Sequence, residues 1–245
     1  MKGTRIDKLI VDAGLAESRT KAQALVMAGV VLVDDRRVDK PSQTFDPASV
    51  VRLKGDAQSQ RYVGRGGLKL EAALRHFEID ASGLNCIDIG SSTGGFTDCL
   101  LKHGAAHVTA IDVGTNQLDW LLRTDSRVDV REKTNARALS PSDFTTSFDL
   151  AVMDVSFISV TKIIPALIPL LLEHGRMVVL IKPQFEVARG EVGKGGIVRE
   201  PEKHERVVRS INAFSTEAGM TVCGVIDSPL LGADGNKEFL AYYEK

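Results

Sequence analysis

The sequence predicts an α/β protein, a doubly wound parallel sheet preceded by a small α+β unit. Three observations carry that expectation. From Leu84 onward, short β-branched and apolar runs alternate with amphipathic segments of helical period, as strands joined by crossover helices do. Ahead of them, residues 1–58 hold only two short helical stripes and a few brief strands, which suits a separate small domain. Charge also divides near this point: residues 1–76 carry 14 Lys and Arg against 9 Asp and Glu, and the remaining 169 carry 17 against 23. The polar, Gly/Ser/Gln-rich stretch between the halves reads as a linker at residues 59–66, leaving residues 67–245 for the second domain.

At 245 residues, 43% hydrophobic and 26% charged, the chain has an ordinary globular composition with room for two domains. Its longest apolar run, residues 163–172, is broken by Pro165 and Pro169 and falls short of the ~20 residues of a membrane span. The opening MKGTRIDKLIVDAG lacks the apolar core of a secretory signal. Cys86, Cys99 and Cys223 are too scattered for a disulfide framework, and no CxxC pair occurs. Cys99, His103 and His107 have helix-like spacing, but Gly104 reads as the helix stop and puts His107 on the next strand, so no metal site is expected. The reducing cytoplasm is the expected compartment.

In the first domain, Thr4 precedes the stripe Ile6, Leu9, Ile10 and Ala13, with Asp7 where a capping-box acid would sit. Gly14 ends this helix. Ser18 caps a second, with Ala22, Leu25 and Val26 on one face and Gly29 as its stop. VVLVDDRRVDK reads as a hairpin turning at Asp34-Asp35, and FDPASVVRLKG adds a strand. Arg5, Lys8, Arg19, Lys21, Arg36 and Arg37 project from this frame. The order R-x-D-x-x-L, then G-L-A-x-S-R, then G-x-V-x-V resembles the S4 RNA-binding domain along its whole length. That resemblance implies RNA contacts from the second helix and the following turn, through Arg19, Lys21 and Arg36, with Arg5, Lys8 and the linker residue Arg65 as further candidates. Phe45 is the one aromatic residue of this domain, so recognition by shape and phosphate suits it better than base stacking. The turn departs from the usual V-N-G by carrying two carboxylates, which weakens phosphate attraction there.

The second domain reads in order as strand LNCIDIG, a helix through His103, strand AHVTAIDVG, helix NQLDWLLR and strand RVDVREK. Strand FDLAVMDVS follows, then helix VTKIIPALIPLLLEHG, strand RMVVLIKPQ and the amphipathic helix PEKHERVVRSINAFSTEAG. TVCGVIDSPL and KEFLAYYEK close it as two more strands. Ligands of such sheets bind at the carboxyl ends of the strands. The first strand ends in IDIGSSTGGFTD, where Gly90, Gly94 and Gly95 allow a ligand close to the backbone and the following helix offers its electropositive end. Asp112 ends the second strand, twenty-four residues after Asp88, where an acid takes adenosine ribose hydroxyls. A glycine turn plus that acid, without a P-loop lysine, fits S-adenosylmethionine better than NAD or ATP. Gly90, Ser92, Gly94 and Phe96 are expected at its methionine end, Asn135, after the third strand, near the adenine, and Asp88 and Gly95 are further cofactor-binding candidates.

Asp154 and Lys182 end two otherwise apolar strands, a costly placement unless the charges are paired. Lys69 on the entry helix and Glu238 before the last strand would complete an alternating cluster. These four match the K-D-K-E tetrad of FtsJ-like ribose 2′-O-methyltransferases. With GRGGLKL, DIGSSTGGFTD, DVSFIS, IKPQFE, GKGGIVR and GNKEFL, and the S4 head, the whole chain resembles the TlyA, or hemolysin A-like, family. The resemblance implies a Rossmann-like, S-adenosylmethionine-dependent methyltransferase that modifies ribosomal RNA or an assembled ribosomal subunit. It also implies Lys182 as general base, Asp154 orienting it and Glu238 orienting Lys69 or the ribose. An ordinary lysine, of pKa ~10.4, is neutral about once in 2,500 at pH 7, a penalty of ~4.6 kcal/mol, so its surroundings must help. Residues 190–200, GEVGKGGIVRE, read as a mobile loop that contacts RNA or closes as a lid. The competing readings are an inactive RNA-binding adaptor, a small-molecule O-methyltransferase and a membrane-active hemolysin.

Overall fold

Successive residues of the central strands face two separate apolar layers, and this alternation sets the architecture. The computed structural model describes residues 3–33, 36–46, 49, 51–53, 61–188, 190–232 and 235–245. The chain divides into two compact units, Met1–Arg61 and Tyr62–Lys245.

In the first unit β1 (Thr4–Arg5) pairs antiparallel with β4 (Thr44–Phe45). A second sheet has the order β3-β2-β5, with β2 (Val31–Val33) between β3 (Arg36–Arg37) and β5 (Val51–Leu53). Helices α1 (Ile6–Asp12) and α2 (Arg19–Met27) supply Ile6, Leu9, Ile10, Ala22 and Val26 to a core closed by Val31, Val33 and Val38. The Ser18 hydroxyl caps α2 by accepting from the Lys21 amide, and Gly14 and Gly29 leave both helices with positive φ, as the sequence predicts. The α1 cap does not match its expected form. Arg5 is the N-cap, without a side-chain cap bond, and Asp7 points inward to other partners. The Asp34-Asp35 turn lies outside the described residues; β2 and β3 pair on either side of it through Val33 and Arg36.

The second unit is a seven-stranded sheet of order β11-β12-β10-β9-β6-β7-β8. Its parallel part is β6 (Asn85–Ile89), β7 (His107–Ile111), β8 (Val128–Arg131), β9 (Phe148–Met153) and β10 (Leu171–Ile181). Cys86, Val108, Leu150, Val178 and Leu180 face one layer, and Ile87, Ile89, Ala151, Met153, Val179 and Ile181 the other, as period-two strands buried on both faces require. Helices α3 (Gly66–His76) and α4 (Gly95–Lys102) pack on each other. The long helix α8 (Pro201–Glu217) buries His204, Val207, Ile211 and Ser215, one stripe of helical spacing.

Three features depart from the sequence expectation. The sheet is mixed, because β12 (Phe239–Glu244) runs antiparallel between β10 and β11 (Thr221–Asp227). The helix expected at VTKIIPALIPLLLEHG is only single turns, with α6 covering Ile164–Leu167 and LLEHG already in β10. Pro165 and Pro169 each withhold a backbone donor and sit at the starts of these short turns, so no continuous helix can form. Helix α5 likewise covers only Trp120–Arg123, capped by Asp119 accepting from the Leu121 amide.

Candidate active site

Sheet register brings the site together. Ile89 and Met153 are paired across β6 and β9, and the amide of Asp154, just beyond, donates to the Ile89 carbonyl. Ile181 and Phe239 are paired across β10 and β12, so Lys182 and Glu238 both lie one residue outside that pair. Gly90, Asp154, Lys182 and Glu238 therefore share one edge of the sheet. Lys69 reaches it from α3.

The four charged residues form two ion pairs. Lys69 Nζ donates to Glu238 Oε2 at 2.5 Å, with both residues buried. Lys182 Nζ lies 2.6 Å from Asp154 Oδ1, an ion contact off the hydrogen-bond direction, and donates to Ser156 Oγ at 3.0 Å. Pairing offsets the desolvation that two buried ammonium groups would otherwise suffer. A cavity of about 240 Å³ opens at this edge, lined by Lys69, Asp154, Arg65, the Gly90–Thr93 loop, Gly95, Phe96 and residues 230–232. Lys69 and Asp154 face it; their partners Glu238 and Lys182 do not line it.

The glycine loop is shaped by close approach. Gly90 has φ +81°, and a Cβ there would come within 2.3 Å of the Asp154 carbonyl oxygen. Gly94, at φ +98°, sits on Leu122, and a Cβ on Gly95 would lie 2.9 Å from the Gly67 amide. Ser92 also has positive φ, and its amide donates to Asp112 Oδ2 at 2.8 Å. Asp112 Oδ1 takes the Gly114 amide, so this carboxylate ties the loop to the turn after β7. Asp88 is fully buried beneath the loop. Its Oδ2 accepts from Thr97 Oγ1 at 2.6 Å, its Oδ1 has no hydrogen-bond partner, and burial pushes its carboxyl up to about 7. Asn135 is exposed and caps a short turn by accepting from the Arg137 amide.

The basic candidates lie apart in kind. Arg5 and Arg19 both hold the buried Asp7. Lys21 pairs with Glu17, four residues earlier and ahead of α2, while Lys8 and Arg36 are exposed. Arg65 lines the cavity rather than a head surface.

Three residues absent from the sequence expectation join the site. Ser156 accepts from Lys182. Glu186, on the short helix α7 (Pro183–Glu186), accepts from the Val160 amide at 2.8 Å and so ties the loop after Asp154 to the turn after Lys182. Asn236, buried beside Lys237-Glu238, donates to the Gly196 carbonyl and accepts from the Val198 amide. Asn236 thus bonds to two residues of the 190–200 loop. Besides Asn236, Arg206 holds Glu191, and Lys203 donates to the Glu191 carbonyl. Ser156, Glu186 and Asn236 do not end apolar strands, the contrast that exposes Asp154 and Lys182 in the sequence. Phe157, in the same loop as Ser156, has φ +65° and is 91% exposed, with its ring against Phe185.

The fold and site define an α/β methyltransferase class. A solved S-adenosylmethionine-dependent methyltransferase from Mesorhizobium loti has the same fold, with TM-score 0.54 at 15% identity, covering 71% of this chain and 96% of that one. Family models match residues 62–245 as FtsJ-like methyltransferase and residues 4–51 as S4 domain. The 16S/23S rRNA (cytidine-2′-O)-methyltransferase TlyA of Mycobacterium tuberculosis is 43% identical over 97% of this chain and 88% of its own. A solved Streptococcus thermophilus structure, provisionally assigned as a hemolysin, is 47% identical, with TM-score 0.78, covering all of this chain and 89% of that one. The chain belongs to the FtsJ-like methyltransferase family, in its S4-bearing TlyA group.

Proposed function

We propose that this protein transfers a methyl group from S-adenosylmethionine to a ribose 2′-oxygen of ribosomal RNA, docking through its S4 unit. The observation that carries this reading is the pair of lysine–carboxylate contacts, Lys69–Glu238 and Lys182–Asp154, at the mouth of a glycine-built cavity. A substrate of this kind places the enzyme in the cytoplasm, with ribosomal RNA or a ribosomal subunit as partner.

The residues present fit the cofactor. Side-chain-free Gly90 and Gly95 leave the cavity open against the backbone, and the buried Asp88 Oδ1 has unused acceptor capacity beneath the loop. Gly90, Ser92, Gly94, Gly95 and Phe96 would hold the amino-acid end, Asp112 the ribose and Asn135 the adenine edge. When bound, the sulfonium supplies an electrophilic methyl group. Lys182, in its neutral form, takes the 2′-hydroxyl proton, while Ser156 and the cavity-lining Asp154 hold its amine just behind the lining. Lys69, fixed by Glu238, donates to the substrate ribose and aligns it.

The test is single-turnover transfer by Lys182→Ala and Lys182→Arg with cofactor affinity measured alongside. Both are expected to lose transfer and keep cofactor affinity within about threefold, because a guanidinium does not give up its proton. Full transfer by either would overturn the assignment. Among the described residues no helix is long and apolar enough to cross a membrane. Dye retention in protein-free liposomes is the expected result against the lytic reading.

A further inference from the structure

We propose that Asp7 is a positioning residue that holds Arg5 and Arg19 side by side as one binding site for an RNA phosphodiester. This rests on the reading of the first unit as an RNA-docking module.

Asp7 has no exposed surface, and its carboxylate accepts four bonds. Arg5 Nε donates to Oδ1 at 3.1 Å and Arg5 Nη2 to Oδ2 at 2.9 Å. Arg19 Nη2 and Gln23 Nε2 reach the same Oδ2 at 3.0 and 2.9 Å. Arg5 enters at the start of α1 and Arg19 at the start of α2, so the carboxylate joins two guanidinium groups from different helices. Arg5 and Gln23 alone would satisfy a buried carboxylate. Arg19 adds a second cation and leaves the cluster with a net charge of one positive unit. Two like charges held on one oxygen repel, an arrangement that a second anion on the outer side relieves.

That outer side is available. The Arg5 and Arg19 side chains remain 46% and 58% exposed. A guanidinium carries five N–H donors, and these bonds to Asp7 use two from Arg5 and one from Arg19. The remaining donors belong to half-exposed, rigid planar forks, and such forks match the geometry of phosphate oxygens. Lys21 offers a contrast. Its partner Glu17 is exposed and lies ahead of the helix, so nothing buried fixes that ammonium.

Charge counting and positioning predict opposite signs here. Asp7→Asn removes a negative charge, so an unstructured basic surface would bind RNA more tightly and with a steeper salt dependence. A positioned pair predicts about tenfold weaker binding of the full-length variant to purified ribosomal RNA. The slope of log affinity against log salt should fall by about one. In methyl transfer, KM for RNA should rise with kcat unchanged, and cofactor affinity should not move. Equal or tighter RNA binding by a folded Asp7→Asn would overturn the proposal. If this variant unfolds the head, Arg19→Lys decides instead, since it leaves Asp7 bonded to Arg5 and Gln23. It keeps the charge and loses the fork, and is expected to weaken binding at least fivefold; unchanged affinity would overturn the proposal. If wild-type protein shows no salt-dependent RNA binding, the docking reading itself falls. If wild type binds and both variants match it, only the role of Asp7 falls.

Discussion

Asp7 and Asp88 are both fully buried carboxylates, and their neighbours push them in opposite directions. The Arg5 guanidinium, with Gln23 and Arg19, holds Asp7 well below the usual carboxylate range. Burial of Asp88, opposed only in part by Thr97 and helped by the carboxylates of Asp154 and Asp112, raises it to about 7. The consequences for stability have opposite sign. Asp7 contributes above about pH 4, and that contribution is lost as pH falls below it. Asp88 favours the folded state most below about pH 4 and loses this contribution as pH rises to about 7, on the order of a few kcal/mol. Urea unfolding at pH 5 and pH 8 should therefore show a smaller decline for Asp88→Asn than for wild type; equal declines would contradict the account. For Lys182→Ala, the expected loss is about 10²- to 10⁴-fold in single-turnover rate. Asp154 and Lys182 are legible in sequence because a charge ending an apolar strand is conspicuous, whereas Lys69 and Glu238 are picked out only by the family resemblance. Ser156 and Glu186 are not, since a small hydroxyl or a helix-end acid carries no such contrast. Asp7 misleads because it stands at capping-box spacing and turns inward instead.

At the scale of elements, the glycine turn after β6 is the part least tolerant of substitution. Gly90→Ala combines a positive φ with a contact on the Asp154 carbonyl, so it must either strain the turn or displace β9 from its register. The expected outcome is about 2–4 kcal/mol of lost stability by denaturant unfolding, with cofactor binding weakened more than tenfold by calorimetry. Gly190→Ala makes a useful contrast, because it has positive φ but no neighbour within 4 Å, and cofactor binding should survive. The strands of the sheet are legible because burial on both faces writes continuous apolar runs. Strand direction is not, since period-two alternation is the same for parallel and antiparallel pairs, and β12 is inserted antiparallel. The segment around Pro165 and Pro169 reads as helical from its apolar spacing, yet backbone donors missing at two positions override that pattern.

For the whole molecule, a net charge of −1 conceals a basic first half and an acidic second. RNA affinity of the full chain should fall steeply between low and moderate salt, because each phosphate contact releases counterions. Cofactor affinity over the same range should change by less than about threefold, as contacts made inside a partly enclosed cavity depend little on screening. Filter binding and calorimetry in parallel salt series check both; similar slopes would contradict a division of labour between the two units. The central claim is tested most directly by incubating the protein with methyl-labelled S-adenosylmethionine and separated small and large ribosomal subunits, then digesting the RNA to nucleosides. The account predicts label in a 2′-O-methylated nucleoside, abolished by Lys182→Ala. Label on a base, or none in any ribosomal RNA, would contradict it.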